Sequence, residues 1–137
     1  MSQPVTVDAS VFVNAFSPAE SGSDQALEYI DQLRKENVPI IVPALLLPEV
    51  TAAIARKQSN TELALQLMNG IRDLPNITLI DLDKSLAELS SELAAQYRLR
   101  GSDAVYAAVA LRFTTHLVTL DRQQLERLVD AVPISSF

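Results

Sequence analysis

The chain has 137 residues, no cysteine, a single histidine and a formal net charge of -6 at pH 7. This length suits one domain with one buried core, and the lack of cysteine excludes disulfides, thiolate zinc sites and a cysteine nucleophile. The acidic surplus also excludes a protein that holds nucleic acid simply through its own positive charge.

A short strand followed by a helix is predicted at the start of the chain. Residues 5–7 are a β-branched run that ends at Asp8, and β-branched residues favour strands. An apolar stripe with the 3.6-residue spacing of an amphipathic helix occupies residues 26–33. Asp8 is therefore expected at the end of the first strand.

The same order is repeated in the next part of the chain. Residues 39–42 predict a second strand, and the apolar stripe behind them predicts a helix. Proline is tolerated in the first turn of a helix and breaks its interior, so Pro48 indicates a start close to Leu47. Glu49 then lies in the first turn of this helix.

Capping residues divide the rest of the chain into helices. Ser59 and Glu62 have the spacing of a capping box, which predicts a helix before a third strand at residues 77–80. Asp83 is expected to cap the next helix and Gly101 to end it.

The final part of the chain predicts two more strands. Ser102 is expected to cap a helix that begins at Asp103 and has a face of small side chains. A fourth strand at residues 117–119, a short helix at 121–128 and a fifth strand at 132–134 follow.

Short strands that alternate with helices are typical of a parallel sheet covered on both faces. We expect a single domain over residues 1–137, of the α/β class: a three-layer α/β/α sandwich with a short central parallel sheet of about five strands. Ligands of such sheets bind beyond the carboxyl ends of the strands. Acidic residues are expected at this rim: Asp8, Glu49, Asp103 and Asp121.

These clustered carboxylates predict a metal site. They would repel one another, and a divalent cation with oxygen ligands removes that repulsion at neutral pH. Each has an alternative role, because Asp8 could simply end a strand, Asp103 or Asp121 could cap a helix, and Glu49 could be a solvated first-turn glutamate. His116 is expected to cap a helix or face solvent and is given no functional role.

Motifs along nearly the whole chain resemble those of PIN-domain nucleases, especially the VapC-like toxins of toxin–antitoxin pairs. The motifs are an aspartate ending the first strand, a glutamate starting a helix, an aspartate leading an alanine-rich helix, and Thr-x-Asp after a strand. The matching segments are residues 7–13, 48–50, 102–110 and 117–121. In the last of them, Leu120 stands where the family commonly has asparagine.

The resemblance implies endonucleolytic hydrolysis of RNA with Mg²⁺ or Mn²⁺ held by all four carboxylates, mainly Asp8 and Asp103. Ser10 and Thr119 would orient these carboxylates through hydrogen bonds. Candidate contacts to the RNA backbone are Arg98, Arg100 and Arg122. The resemblance also implies a homodimer and a small basic antitoxin partner, which the acidity of the chain would suit.

A cytoplasmic protein without membrane association is expected. The N-terminus has no basic start followed by an apolar block, so it does not resemble a signal peptide. The longest apolar run, residues 38–48, has about half of the roughly 20 residues that a membrane-spanning helix needs.

Other classes of small α/β protein fit less well. A receiver domain needs a lysine near the last strand, but the last lysine is Lys84; a haloacid-dehalogenase-type phosphatase needs a second aspartate where Ser10 stands. The three glycines do not form a phosphate-binding loop. A PIN-like module that binds RNA or protein without catalysis is the remaining alternative, and retention of all four acids argues against it.

Overall fold

Five parallel strands form the centre of the computed structural model, which describes residues 3–137. The strands are β1 (Val5–Val7), β2 (Ile40–Pro43), β3 (Ile77–Ile80), β4 (His116–Val118) and β5 (Ile134–Ser135). Their order across the sheet is β3-β2-β1-β4-β5, and every neighbouring pair is parallel. The predicted α/β class with about five parallel strands is confirmed.

Seven helices connect these strands within the described range. They are α1 (Ala9–Ala15), α2 (Ser23–Lys35), α3 (Leu46–Gln58), α4 (Thr61–Arg72), α5 (Lys84–Tyr97), α6 (Gly101–Phe113) and α7 (Arg122–Arg127). Helix α1 packs against α2 and α3, and α3 packs against α4, whereas α6 packs against α5 and across β1, β2 and β4. The helices therefore form layers around the sheet, as the sequence predicts.

The core lies between the sheet and its helices. All three residues of β1 are buried, and burial in α6 runs without interruption from Asp103 to Ala110. Many of these α6 side chains are alanine, which allows the helix to lie close to the sheet. No helix among residues 3–137 is both long enough and apolar enough to cross a membrane.

Helix α1 is missing from the sequence-based prediction. Its residues Val11, Phe12 and Val13 prefer strands to helices, so the sequence gives no helical signal here. Val11 and Phe12 are fully buried, and Asp8 caps the helix by accepting a hydrogen bond from the backbone N–H of Ser10. Tertiary burial and the cap thus outweigh the local preference.

The predicted capping box at Ser59 is wrong. Ser59 ends α3 with a left-handed backbone at φ 48°, and an N-cap requires extended backbone instead. Asn60 has that extended backbone, and its side chain accepts a 3.0 Å hydrogen bond from the N–H of Leu63. The cap of α4 therefore lies one residue later than predicted.

The predicted boundary at Gly101 and Ser102 is also wrong. Helix α5 ends at Tyr97, and Arg98 takes the left-handed position at φ 55° that was expected of the glycine. Gly101 is instead the first residue of α6, so Asp103 is the third residue of the helix rather than its first.

His116 neither caps a helix nor faces solvent, which corrects the prediction. It begins β4, and its backbone N–H donates to the carbonyl of Pro4. The half-buried imidazole shares a 2.7 Å hydrogen bond with the Ser135 hydroxyl of β5. The strand begins one residue earlier than predicted because main-chain pairing with the first strand fixes the start.

Candidate active site

The acidic residues lie where the connections of the sheet diverge. From β1 the chain continues through helices to β2 on one side, while β4 lies on the other side of β1. Such a divergence is where ligands bind in open parallel sheets. Asp8 follows β1, Asp121 follows β4, Glu49 lies in the first turn of α3 behind β2, and Asp103 lies in the first turn of α6.

Asp8 is held in place by two donors. The residue is only 4% exposed, and its Oδ2 accepts hydrogen bonds from the Thr119 hydroxyl at 3.0 Å and the Ser10 N–H at 3.3 Å. No described residue donates to the other oxygen, Oδ1. One carboxylate oxygen is thus fixed by the protein, while its partner is available to a ligand.

Two hydroxyl groups join the loop after β1 to the loop after β4. The Ser10 hydroxyl accepts a 3.0 Å hydrogen bond from the N–H of Leu120, and the Thr119 hydroxyl accepts one of 3.0 Å from the N–H of Asp121. The two hydroxyl oxygens are 3.4 Å apart. Ser10 and Thr119 therefore set the position of Asp8 relative to Asp121.

Glu49 is oriented by a buried tyrosine of α6. The Tyr106 hydroxyl donates a 2.7 Å hydrogen bond to Glu49 Oε1, and burial followed by the charge of Glu49 raises the pKa of the phenol, which keeps it protonated. Burial also raises the pKa of Glu49; the Tyr106 hydrogen bond opposes this rise, and the charges of Asp8 and Asp103 add to it. Glu49 is therefore electrostatically coupled to two other acids of the site.

Arg100 bridges the remaining two acids. Its Nε donates to Asp103 Oδ2 at 2.9 Å, and its Nη2 donates to Asp121 Oδ2 at 3.2 Å. Burial raises the pKa of Asp103; Arg100 opposes this rise, while Asp8 and Asp121 add to it. All four acidic side chains thus share one electrostatic environment, which Arg100 partly neutralises.

The chemistry of this donor set fits a hard divalent cation. Carboxylate oxygens are the preferred ligands of Mg²⁺ and Mn²⁺. Burial is the main cause of the raised pKa values of Glu49 and Asp103, and repulsion from neighbouring acids, which a cation would remove, adds to it. Across residues 3–137, however, no three acidic or histidine side chains are placed as a complete ligand set for one ion. Arg100 pairs with Asp103 and Asp121 and so occupies carboxylate oxygens that a cation would use.

The other two arginines predicted to contact RNA lie outside this cluster. Arg98 is exposed in the turn before α6, where its carbonyl accepts a hydrogen bond from Arg127, and Arg122 is exposed at the start of α7. Within the described chain, neither forms an ion pair with the acidic residues. Only Arg100 of the predicted set is brought to the carboxylates.

Some residues of the site were missed by sequence reasoning. Tyr106 lies three residues after Asp103, a spacing that places both on one face of a helix. A groove of about 590 Å³ opens from Glu49 and Ser10, and its wall also includes Arg56 and Lys57 of α3. Glu49 and Arg56 are seven residues apart, so helical periodicity could have predicted that they share a face.

Comparison with known proteins gives an independent indication of the family and the fold. A family model described as the PIN domain matches residues 5–130. A Rickettsia felis VapBC2 chain, from a complex bound to promoter DNA, has a TM-score of 0.74 at 16% identity over 98% of both chains. Mycobacterium tuberculosis VapC20, described as a toxin that cleaves the sarcin-ricin loop, has a TM-score of 0.71 at 16% identity over 86% of this chain and 90% of its own.

A chain from a Klebsiella pneumoniae toxin–antitoxin complex has a TM-score of 0.64 at 20% identity, over 98% of this chain and 96% of its own. No curated protein matches the sequence. At these identities the solved structures share the fold, and the family model connects the sequence itself to that fold.

Proposed function

This chain belongs to the PIN-domain family, and we propose on that premise that it is a Mg²⁺- or Mn²⁺-dependent endoribonuclease, the toxin of a toxin–antitoxin pair. One observation carries the proposal. Four acidic residues from separate parts of the chain lie at one rim of the sheet: Asp8, Glu49, Asp103 and Asp121. Their charges act on one another, since neighbouring acids of this set help to raise the pKa values of Glu49 and Asp103.

The ordered neighbours of the carboxylates support this role. Thr119 fixes one oxygen of Asp8, and Tyr106 fixes one oxygen of Glu49, so each acid is restrained without using both of its oxygens. Restraint of this kind keeps ligands in position and reduces the reorganisation needed on binding. Bound at these residues, Mg²⁺ or Mn²⁺ would supply a Lewis acid that activates water and neutralises charge on the leaving oxygen.

Asp8 and Asp103 are the main metal ligands in this proposal, and Glu49 and Asp121 complete the set. Asp8 and Asp103 are also the most deeply buried of the four residues, at 4% and 8% exposure. A buried carboxylate interacts more strongly with a cation because solvent screens it less. Substitution of either should therefore affect catalysis most.

An antitoxin partner with a basic side chain is part of the same proposal. The ion pairs of Arg100 support it, because a guanidinium group fits between Asp103 and Asp121. The net charge of -6 also favours association with a basic protein. We propose a cytoplasmic homodimer as the form that this partner binds, on the basis of the family resemblance.

The proposal is tested by RNA cleavage with substitutions that preserve side-chain shape. Asp8→Asn and Asp103→Asn should each lower the rate in Mg²⁺ or Mn²⁺ by roughly 100-fold or more, and EDTA should stop the wild type. Asp24→Asn removes the same charge from the exposed first turn of α2 and should leave the rate unchanged. Thermal unfolding of each variant checks that the fold is retained.

The outcomes separate this proposal from a binding module without catalysis. Cleavage that persists in EDTA, or in both Asp8→Asn and Asp103→Asn, would contradict the metal site. RNA binding by the wild type without any cleavage would favour the non-catalytic module.

A further inference from the structure

Three basic side chains line the groove that opens from the candidate active site: Arg56, Lys57 and Arg100. The whole chain has only 11 lysines and arginines against 17 acidic residues, so their concentration in one groove is notable in an acidic protein. A basic groove beside a phosphodiester-cleaving centre would offset the unfavourable net charge locally.

Two of these cations are already neutralised by ion pairs. Lys57 pairs with Glu20, and Arg100 pairs with Asp103 and Asp121. Asn14 donates a further hydrogen bond to Glu20, which helps hold the wall of the groove in place. These pairs account for the charges of Lys57 and Arg100.

Arg56 differs from both, because it is exposed and makes no ion pair with any residue in the described range. A guanidinium group keeps its charge at all relevant pH values and can donate two parallel hydrogen bonds to a phosphate. Arg56 is thus the groove cation that is available to an anionic ligand.

The position of Arg56 along α3 sets its distance from the carboxylates. It follows Glu49 by seven residues, which corresponds to a rise of roughly 10 Å along the helix. Ala53 lies between them on the same wall, and its small side chain leaves the groove open. An RNA cut at the carboxylates could therefore place a neighbouring backbone phosphate beside Arg56.

We propose that Arg56 binds the backbone phosphate of a single-stranded RNA that lies in this groove, at a nucleotide next to the one being cut. The proposal rests on the proposed nuclease function. The groove residues of the described chain include no aromatic side chain on which a base could stack. Recognition by Arg56 is thus directed at the backbone and independent of base sequence.

The test measures binding of a fluorescently labelled single-stranded RNA of mixed sequence by anisotropy, in EDTA and over a range of KCl concentrations. Arg56→Ala should weaken binding roughly five- to tenfold at low salt and reduce the slope of log K against log salt by about 0.7, the value for one phosphate contact on a single strand. Arg56→Lys keeps the charge and should retain the wild-type slope.

Arg72→Ala is the matched control. It removes the same formal charge from an exposed residue at the end of α4, where Arg72 is paired with Asp73 and precedes the start of β3, outside the groove. This control should retain the wild-type salt slope. In Mg²⁺, Arg56→Ala should raise KM with little change in kcat, since Arg56 is remote from the reacting phosphate.

The outcomes distinguish this inference from the proposed function. If the wild type cleaves RNA and Arg56→Ala behaves like Arg72→Ala, the role of Arg56 is overturned and the nuclease function stands. If the wild type does not cleave but Arg56→Ala alone lowers the salt slope, the binding role stands and the nuclease function falls. Absence of both binding and cleavage overturns both.

Discussion

Arg100 contacts two of the four carboxylates, and its exposure differs greatly from theirs. Its side chain is 71% exposed, whereas that of Asp103 is 12% exposed. Exposed ion pairs contribute little to stability, so the guanidinium can leave for solvent at modest cost. A divalent cation at the same oxygens would then compete directly with Arg100.

Removal of this competitor should tighten metal binding. We expect Arg100→Gln to lower the Kd for Mn²⁺ by roughly three- to tenfold, because one exposed ion pair is worth about 1 kcal/mol or less and two are lost here. Isothermal titration calorimetry without RNA measures this directly. Arg98→Gln, an equal loss of charge nearby, serves as the control. Weaker Mn²⁺ binding in Arg100→Gln would mean that Arg100 gathers the carboxylates for the metal.

The acidic residues could be placed at one rim from the sequence, whereas several of their partners could not. Asp8 ends the first predicted strand and Asp121 follows the fourth, and the carboxyl ends of the strands of a parallel sheet lie at one rim. The contact between Tyr106 and Glu49 joins α6 to α3, and it depends on which faces of two helices meet across the sheet. The spacing of residues within one helix does not show how that helix is oriented towards another, so it does not predict this contact.

Helix boundaries depend on backbone conformation as well as on residue type. Ser59 and Asn60 are both good capping residues, and the sequence pattern favoured Ser59 because Glu62 follows three positions later. The left-handed backbone of Ser59 decides the assignment in favour of Asn60. Local sequence thus predicts the existence of this boundary better than its register.

With Asn60 as the N-cap of α4, substitutions at residues 59 and 60 should change stability in opposite directions. Asn60→Ala should lower the free energy of unfolding by about 1 kcal/mol because α4 loses its side-chain cap. Ser59→Gly should raise it by roughly 0.5 kcal/mol because glycine adopts positive φ without steric cost. Urea denaturation of both variants measures the difference. A larger loss in Ser59→Gly than in Asn60→Ala would restore Ser59 as the cap.

Helix α1 illustrates an element that sequence periodicity misses. Its seven residues include a Val-Phe-Val run, and its buried face is filled by Val11, Phe12 and Ala15. A short helix made of strand-favouring residues is stabilised by its surroundings, here α2 and α3. The helix matters for the site because its N-cap is Asp8, so packing of α1 positions a candidate catalytic carboxylate.

At the scale of the whole molecule, topology explains why residues so distant in sequence meet. The strand order β3-β2-β1-β4-β5 places β1 between β2 and β4, whose following segments carry Glu49 and Asp121. Alternation of strands and helices predicts a parallel sheet, but many strand orders satisfy the same alternation. The central place of β1 follows from long-range packing, and it makes Asp8 the middle of the acidic cluster.

The cost of this cluster should appear in the pH dependence of stability. The folded-state pKa values of Glu49 and Asp103 are raised, mainly by burial. A raised carboxyl pKa means that the folded state binds a proton more readily than the unfolded state, so stability increases as pH falls through the folded pKa. Without metal, Tm should therefore rise as pH falls from 7 towards about 4.5.

Other carboxylates make the opposite contribution to stability, at lower pH. The pKa values of Glu20, Asp31 and Asp73 are lowered by their basic partners, so the stability that these pairs contribute is lost only as pH falls through and below the ordinary carboxyl range. The expected profile has a maximum on the acid side of neutrality. A change of 1 kcal/mol corresponds to roughly 3 °C in Tm for a chain of this size.

Calorimetry in EDTA between pH 4 and pH 8 measures this profile. The double variant Glu49→Gln and Asp103→Asn should lose the rise, because neither amide titrates. Saturating Mg²⁺ should remove the rise in the wild type, since a cation bound to the carboxylates favours their ionised forms and lowers their pKa. A wild-type Tm that falls steadily below pH 7, with the same slope in the double variant, would mean that ionised Glu49 and Asp103 do not destabilise the folded state.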